Sequence, residues 1–396
     1  MERRPSFSGS RVRSAGVTSL AAAILMASSA CASAQVPPFD RSPPQVQVMD
    51  REPRVSDPPV LRRNLRNILG GVPMTAADSM RQQIVHRLDF DSYKELVRGL
   101  TRFGDREQGT ARNAAAVDWI EAQLRGWGYE TERLHYEYAP RERPGGAPPE
   151  PEPREEVYAT LVGDTNPGEM YIVSAHMDGR GGGQAANDDG SGTALVMEIA
   201  RVLASNDIRS DRSIRFALWN NEETGLDGAS AYVEQRAALQ GIETPPGSGR
   251  YPEPRWLGMM QHDMMMWDHG NPVTYDQALD ADVDVEFQLA SALADESALL
   301  GIELINANRM HATDYPAVLS NAMSNTDSTP FMNLVPSVSL RENRRLYETG
   351  NRANPHWHQM TDLFETFSDA DFMLGINAAQ TTLGALTKLA GITVVE

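Results

Sequence analysis

The chain has 396 residues, enough for one large domain or two small ones, and sets 36 Lys and Arg against 54 Asp and Glu for a formal net charge of −18. An acidic balance of this size repels nucleic acid and anionic membrane, so neither is an expected partner. Composition removes functions here without choosing one.

Residues 1–34 read as an export signal. Arg3, Arg4, Arg11 and Arg13 make a basic start, Val17 to Ala27 a short apolar run, and Ala32-Ser33-Ala34 the small-x-small pattern that precedes cleavage. The run is shorter than the ~20 residues that cross a bilayer, so the expectation is a secreted or periplasmic protein cleaved after Ala34, with no integral membrane span. Cys31, the only cysteine, offers a lipoprotein route, but Ser28 stands where an aliphatic residue is usual. The mature chain then has no disulfide, and its stability must come from a core and from metals. Residues 35–60 are rich in Pro, Arg and Asp without periodicity, as in a flexible leader, and 61–396 are expected to form a single domain.

Helices are expected over Thr75 to Leu88 and Ser92 to Thr101. Val117, Ile120, Leu124 and Trp127 recur at helical spacing, and Gly126 and Gly128 mark the end of that helix. Residues 141–155 read as a loop. Tyr158 to Val162 and Tyr171 to Ala175 read as strands, Ser191 to Ala204 as a helix, Ser213 to Trp219 as a strand and Gly228 to Leu239 as a helix. A Pro/Gly loop over 240–255 leads to a strand at Trp256 to Asp263. A helix from Val283 to Leu300, a strand at Pro336 to Leu340 and a helix from Asp369 to Leu389 complete the chain. This alternation predicts an α/β three-layer sandwich, a central and mostly parallel mixed sheet with helices on both faces, whose chemistry collects beyond the strand ends.

Ligand-type residues stand at those ends. His176 and Asp178 follow the Tyr171–Ala175 strand, Asp188 and Asp189 lie in a Gly-rich loop before a helix, Glu222 and Glu223 follow the Ser213–Trp219 strand, and Asp263 ends the next. Each alone is unremarkable: a Glu-Glu pair is usually a solvated edge, and a lone Asp at a strand end usually caps a helix. Together they pose a charge problem. Asp188, Glu222, Glu223 and Asp263 brought together without cations would have to bind protons or repel one another. Two divalent cations offset the four charges, and mixed carboxylate and imidazole ligands suit Zn2+, with Co2+ or Mn2+ as alternatives. Paired ions about 3.5–4 Å apart lower the pKa of bound water to about 7, and a carboxylate outside the ligand set then serves as proton shuttle.

The stretches Ile172–Asp178, Ala186–Gly192 with its Asp188-Asp189-Gly190-Ser191-Gly192, Ile214–Leu226 with its Glu222-Glu223-Thr224-Gly225-Leu226, Asp263-Met264, and Asn354–His358 followed by Thr361-Asp362 resemble, in order, the motifs of the co-catalytic di-zinc aminopeptidases, metallopeptidase family twenty-eight. The resemblance covers roughly residues 95–390. It implies that Asp188 bridges two Zn2+, that His176 and Asp263 complete one ion's shell and Glu223 and His358 the other's, and that Glu222 is the general base. Asp178 would orient His176, and a cis peptide would follow Asp188. His358 is preferred to His356 because an Asp stands four residues after it. His262, His269 and His311 read as structural or solvent-facing, and Met259 to Met266 as packing. The sequence departs from the family at Thr326-Asp327-Ser328-Thr329-Pro330-Phe331, where Ser328 replaces a His, so substrate preference or oxyanion contacts are expected to differ.

The implied activity is hydrolysis of peptide bonds through a metal-bridging hydroxide, removing N-terminal residues from a peptide substrate. Glutaminyl cyclase-like chemistry and carboxypeptidase or dipeptidase activity on the same fold stay open as alternatives. A non-catalytic binding domain is disfavoured by the complete ligand set.

Overall fold

The computed structural model describes residues 74–140, 150–267, 283–342 and 354–395. The expected export signal, the Pro-rich leader, Cys31 and His269 lie outside the described residues.

Three helices open the described chain: α1 (Ala76–Val85), α2 (Phe90–Thr101) and α3 (Ala111–Gly126). Thr75, Asp89 and Thr110 each precede one of them and accept from the backbone N–H of Asp78, Ser92 and Asn113. Each cap takes up a donor that has no partner inside the helix. On α3 the periodic residues Val117, Ile120 and Leu124 are all buried.

Eight strands make the main sheet: β1 (Thr131–Tyr138), β2 (Glu152–Leu161), β3 (Asn166–His176), β5 (Arg212–Trp219), β6 (Arg255–His262), β7 (Val283–Glu286), β8 (Ala317–Ser320) and β9 (Ser337–Arg341), in the order β1-β2-β5-β3-β6-β9-β7-β8. The centre, β5-β3-β6-β9, is parallel. β1 with β2, β2 with β5 and β7 with β9 are antiparallel, while β7 with β8 is parallel. β4 (Ile208–Ser210) and β10 (Ile392–Val394) pair separately.

Period two along β5 shows how one strand serves two cores. Ile214, Phe216 and Leu218 face a large core shared with α2, α3 and the helices α4 (Gly190–Leu203), α7 (Ala294–His311) and α8 (Asp369–Leu389). Ala217 and Trp219 face a smaller aromatic core with Tyr232, Trp256 and Phe331, closed by α6 (Asp227–Arg236). Each large apolar side chain so buried contributes roughly 1.5–3 kcal/mol. The result is the expected three-layer mixed sheet.

Several element assignments are corrected. The helix expected over Val283 to Leu300 starts only at Ala294, and 283–286 is strand β7. Val283 and Val285 alternate with Asp284 and Glu286, a period of two, and the ladders to β9 and β8 select it. β2 begins at Glu152, inside the expected 141–155 loop. β1 lies outside the expected strands although Leu134 and Tyr136 alternate with polar neighbours, because an edge strand lacks the apolar run that marks a buried one. The helix expected to reach Leu239 ends at Arg236 and continues as a 3-10 turn.

Candidate metal centre

Three parallel neighbours deliver the expected residues to one edge. His176 is the last residue of β3, Asp263 follows the last residue of β6, and Glu222 and Glu223 open a single turn, α5 (Glu222–Gly225), two residues beyond β5. Asp188 comes from the loop ahead of α4, and His358 from the loop between β9 and α8. Sheet geometry thus brings together side chains that lie up to 182 positions apart in sequence, from His176 to His358.

Asp188 lies between the two histidines. Its Oδ1 is 3.3 Å from His176 Nε2 and its Oδ2 is 3.0 Å from His358 Nε2. Asp263 Oδ1 stands 3.7 Å from His176 Nε2, and Glu223 Oε2 stands 3.0 Å from His358 Nε2. Two donors on one tetrahedral zinc, each at about 2.0–2.1 Å, are separated by about 3.3 Å, so these spacings fit shared ions. The donor atoms fall into two groups, His176 with Glu222 and Asp263, and Asp188 with Glu223 and His358, each within 4.8 Å. Glu222 therefore lies inside the first group, although the resemblance gives it a role outside the ligand set.

Charge tells the same story. Burial, then Asp263 and Glu223, push the Glu222 carboxyl up to about 8. Burial and then Asp188 push Glu223 up to about 7. Against burial, contacts with Asp188 and Glu223 raise His358 to about 9. His176 rises well above its usual range because Glu222 and the contacts with Asp178, Asp188 and Asp263 overcome burial. Burial opposes ionisation of Asp188, yet the His176 and His358 contacts hold its carboxyl below the ordinary range. The cluster by itself keeps protons, and divalent ions are the alternative that releases them.

A surrounding layer of buried acids fixes the loops. The Asp178 carboxylate accepts from the N–H of Glu222 at 3.2 Å and of Glu223 at 3.4 Å. His176 Nδ1 meets the Asp178 backbone carbonyl at 3.0 Å, with the carboxylate farther away at 3.7 Å. Asp178 thus touches His176 through its main chain and holds the Glu pair with its side chain. Asp189, joined to Asp188 by a cis peptide, accepts from the N–H groups of His176, Gly192 and Met264. A Cβ at Gly192 would stand 2.6 Å from that carboxylate, which is why only glycine fits. Asp362 accepts from the N–H of Asn187 and Asp188 at 2.9 and 3.1 Å. Asn221, Met264 and His358, each at or beside a cluster residue, have φ of 59°, 60° and 54°, a left-handed backbone that Asn and His adopt more readily than Met.

Sequence reasoning missed Glu342, Arg341 and Arg106. Glu342 accepts from Asn187 Nδ2 and from the N–H of Met266 and Trp267. Arg341 pairs with Asp263, whose same oxygen accepts from Thr326 at 2.8 Å. Both sit at the end of β9, so the strand-end rule would have found them. Arg106, fully buried, donates to the carbonyls of Gly104, Met177, Gln184 and Ala185. No pattern announces it.

The remaining histidines lie apart. His356 Nδ1 contacts Thr361 Oγ1 at 3.0 Å. His262 spans Ser174 O and Thr382 Oγ1, and burial lowers its imidazole to about 4. His311 is buried at the end of α7. Met259, Met260, Met264, Met265 and Met266 are buried packing. Ser328 is buried with its hydroxyl 2.6 Å from Ser339 Oγ.

Similarity to known proteins follows the same pattern. The family model of peptidase family M28 matches residues 156–379, more than half of the chain. A probable zinc metalloprotease of Leptosphaeria maculans is 31% identical over 175 residues, 40% of this chain and 40% of the relative. The chain therefore spans less than half the length of the curated relatives it matches. Among solved structures, a zinc aminopeptidase from Bacillus subtilis superposes with a TM-score of 0.58 at 15% identity, over 76% of this chain and 95% of its own. Porphyromonas gingivalis glutaminyl cyclase does so at 0.56 and 18%, over 76% and 99%. These two likenesses speak to the fold.

Proposed function

Because the chain belongs to peptidase family M28, we propose that it is a zinc-dependent peptidase that holds two ions and removes N-terminal residues from peptides. The observation that carries this reading is Asp188, whose two oxygens face one histidine each at the separations that donors on a common ion adopt. His176 and Asp263 would hold one ion, Glu223 and His358 the other, with Asp188 shared. Bound there, two Zn2+ would polarise the scissile carbonyl and acidify the attacking water.

The chain's own groups do the rest. Glu222 takes the proton from the water and returns it to the leaving amine, and its place in one donor group with His176 and Asp263 supports that role. Asp178 keeps Glu222 and Glu223 aimed through their backbone N–H groups. Arg106 and Asp362 hold the loop on which Asp188 rides. Among the described residues no helix is long and apolar enough to cross a membrane. Residues 1–34, read as an export signal, support an activity outside the cytoplasm, and N-terminal sequencing of the exported protein checks cleavage after Ala34.

The test uses aminoacyl-anilides, N-blocked peptides and Gln-naphthylamide, each with and without chelator. Release from free N-termini only, lost on chelation and restored by zinc, is expected. Cleavage of blocked peptides would move the assignment to a carboxypeptidase or endopeptidase, and cyclisation of N-terminal Gln to a glutaminyl cyclase. Glu222→Gln should retain both ions and lose about 10²–10⁴-fold in kcat.

A further inference from the structure

The donor side chains of the centre are not equally reachable. His176 and Asp263 keep 1% and 2% of their side-chain surface, whereas His358 keeps 21%. A substrate therefore approaches from the side of Asp188, Glu223 and His358. Among the described residues, a guanidinium stands beside Glu223 on that side. Arg180 is more than half exposed, donates through Nη1 to the Glu223 carbonyl at 3.3 Å, and lies 3.9 Å from Glu223 Oε2. Its position follows from the backbone: Gly181 has φ +99°, and a Cβ there would come within 2.5 Å of the His358 carbonyl carbon. The turn after Arg180 thus presses against the main chain of His358. On the far side of that histidine, Trp357, half exposed, lays its indole on the imidazole with centroids 4.2 Å apart.

The nearby arginines differ in how they are used. Arg341 is buried against Asp263, and Arg106 is buried with its N–H groups spread over four backbone carbonyls. Arg180 makes one bond to a carbonyl and one marginal ion pair. Once Glu223 binds an ion, its carboxylate is a weaker partner still, which leaves the half-exposed fork of Arg180 beside it open to a second carboxylate. Guanidinium forks bind carboxylates in two-point fashion, and an anion would otherwise be repelled by such a site.

We propose that Arg180 is a specificity residue that receives a carboxylate of the substrate beside the scissile bond. The preferred substrates are then short peptides whose C-terminal carboxylate comes within reach, or peptides with an acidic side chain next to the bond. The inference rests on the peptidase reading above.

The test compares Leu-Leu with Leu-Leu amide, and Leu-Asp amide with Leu-Asn amide, in the zinc-loaded full chain. The wild type should favour the acid of one pair by about tenfold in kcat/KM, and Arg180→Gln should bring that ratio toward one, with Arg180→Lys between. Response of the first pair assigns the C-terminal carboxylate, and response of the second the side chain. Ratios equal in wild type and Arg180→Gln overturn the inference while leaving the peptidase reading intact. If no peptide is cleaved, the peptidase reading fails and binding decides Arg180. In calorimetric titrations of zinc-loaded Glu222→Gln, adding Arg180→Gln should weaken binding of the acid by about tenfold and leave binding of the amide unchanged. Equal losses for both ligands overturn it.

Discussion

Two buried charged clusters border β5, one among the aromatic side chains on its flank and one beyond its C-terminal end, and they solve the same problem differently. On the aromatic side Arg215 and Glu253 are both buried, 2.5 Å apart. Tyr232 donates to Glu253 at 2.7 Å, Trp256 Nε1 donates to the same carboxylate, and Thr160 and the Pro252 carbonyl accept from Arg215. One cation meets one anion, and the surrounding donors and acceptors finish the set. At the strand ends, by contrast, Asp188, Glu222, Glu223 and Asp263 face two imidazoles. Arg341 pairs with Asp263 and Arg180 reaches Glu223 only at 3.9 Å, so with neutral imidazoles the acids outnumber the cations the described residues supply. The first cluster is complete as folded, and the second is complete only with ions. A buried charge pair can thus be architecture, while an unbalanced one of this kind marks a binding site.

Metal removal should separate the two most sharply. Zinc at about 1,000 times each Kd adds about 4 kcal/mol per ion to the unfolding free energy. Denaturant titrations of metal-free and loaded protein should show that gain, and Asp188→Ala should lose most of it because both donor groups lean on Asp188. A metal-free protein as stable as the loaded one breaks the contrast. Arg215→Met tests the other side, since it leaves Glu253 buried without its cation and should cost about 3–5 kcal/mol. Zinc stoichiometry of the folded variant, measured by atomic absorption, should remain that of the wild type.

A smaller effect sharpens the idea that burial without a partner penalises charge. His311 packs against Gly384 of α8, and burial lowers its imidazole to about 4, with Asp78 raising it and Arg81 and His86 lowering it. The folded pKa lies below the unfolded ~6.5, so the stabilising contribution is whole above pH 6.5 and is lost as pH falls toward 4. Over that window the wild type should lose about 3 kcal/mol more than His311→Gln, read from unfolding at stepped pH. A parallel pair of curves would remove His311 from the account. The smallest expected change is at Thr110, which caps α3 by accepting from Asn113 N–H at 3.2 Å. Thr110→Ala should lower stability by about 1 kcal/mol, seen as a shifted denaturant midpoint, without altering zinc binding.

Much of the fold could be read directly. The buried parallel strands β3, β5 and β6 are short apolar runs bounded by turns, and the helices α3, α4 and α8 carry clear periodicity. The edge strands β1 and β8 were harder, because one partner and mixed burial leave a weak pattern, and β7, though buried and paired on both sides, is only four residues long. The donors of the centre were visible because strand ends place them, and chemistry limits what four neighbouring carboxylates can do. Asp178 shows the limit of such reading. Its carbonyl meets His176 at 3.0 Å and its carboxylate at 3.7 Å, and that same carboxylate also serves the Glu222–Glu223 turn, a second duty that no spacing announces.

By itself, then, the order of residues determined the alternating elements, the acids and imidazoles at successive strand ends, and the need for cations among them. These are local properties: side-chain period, turn chemistry and charge. Only the tertiary structure decided that Arg341 would meet Asp263 and that Arg106 and Glu342 would clasp the loops. Such contacts join residues dozens to well over a hundred positions apart, through a loop whose course depends on the packing around it. No spacing along the chain encodes a distance of that kind.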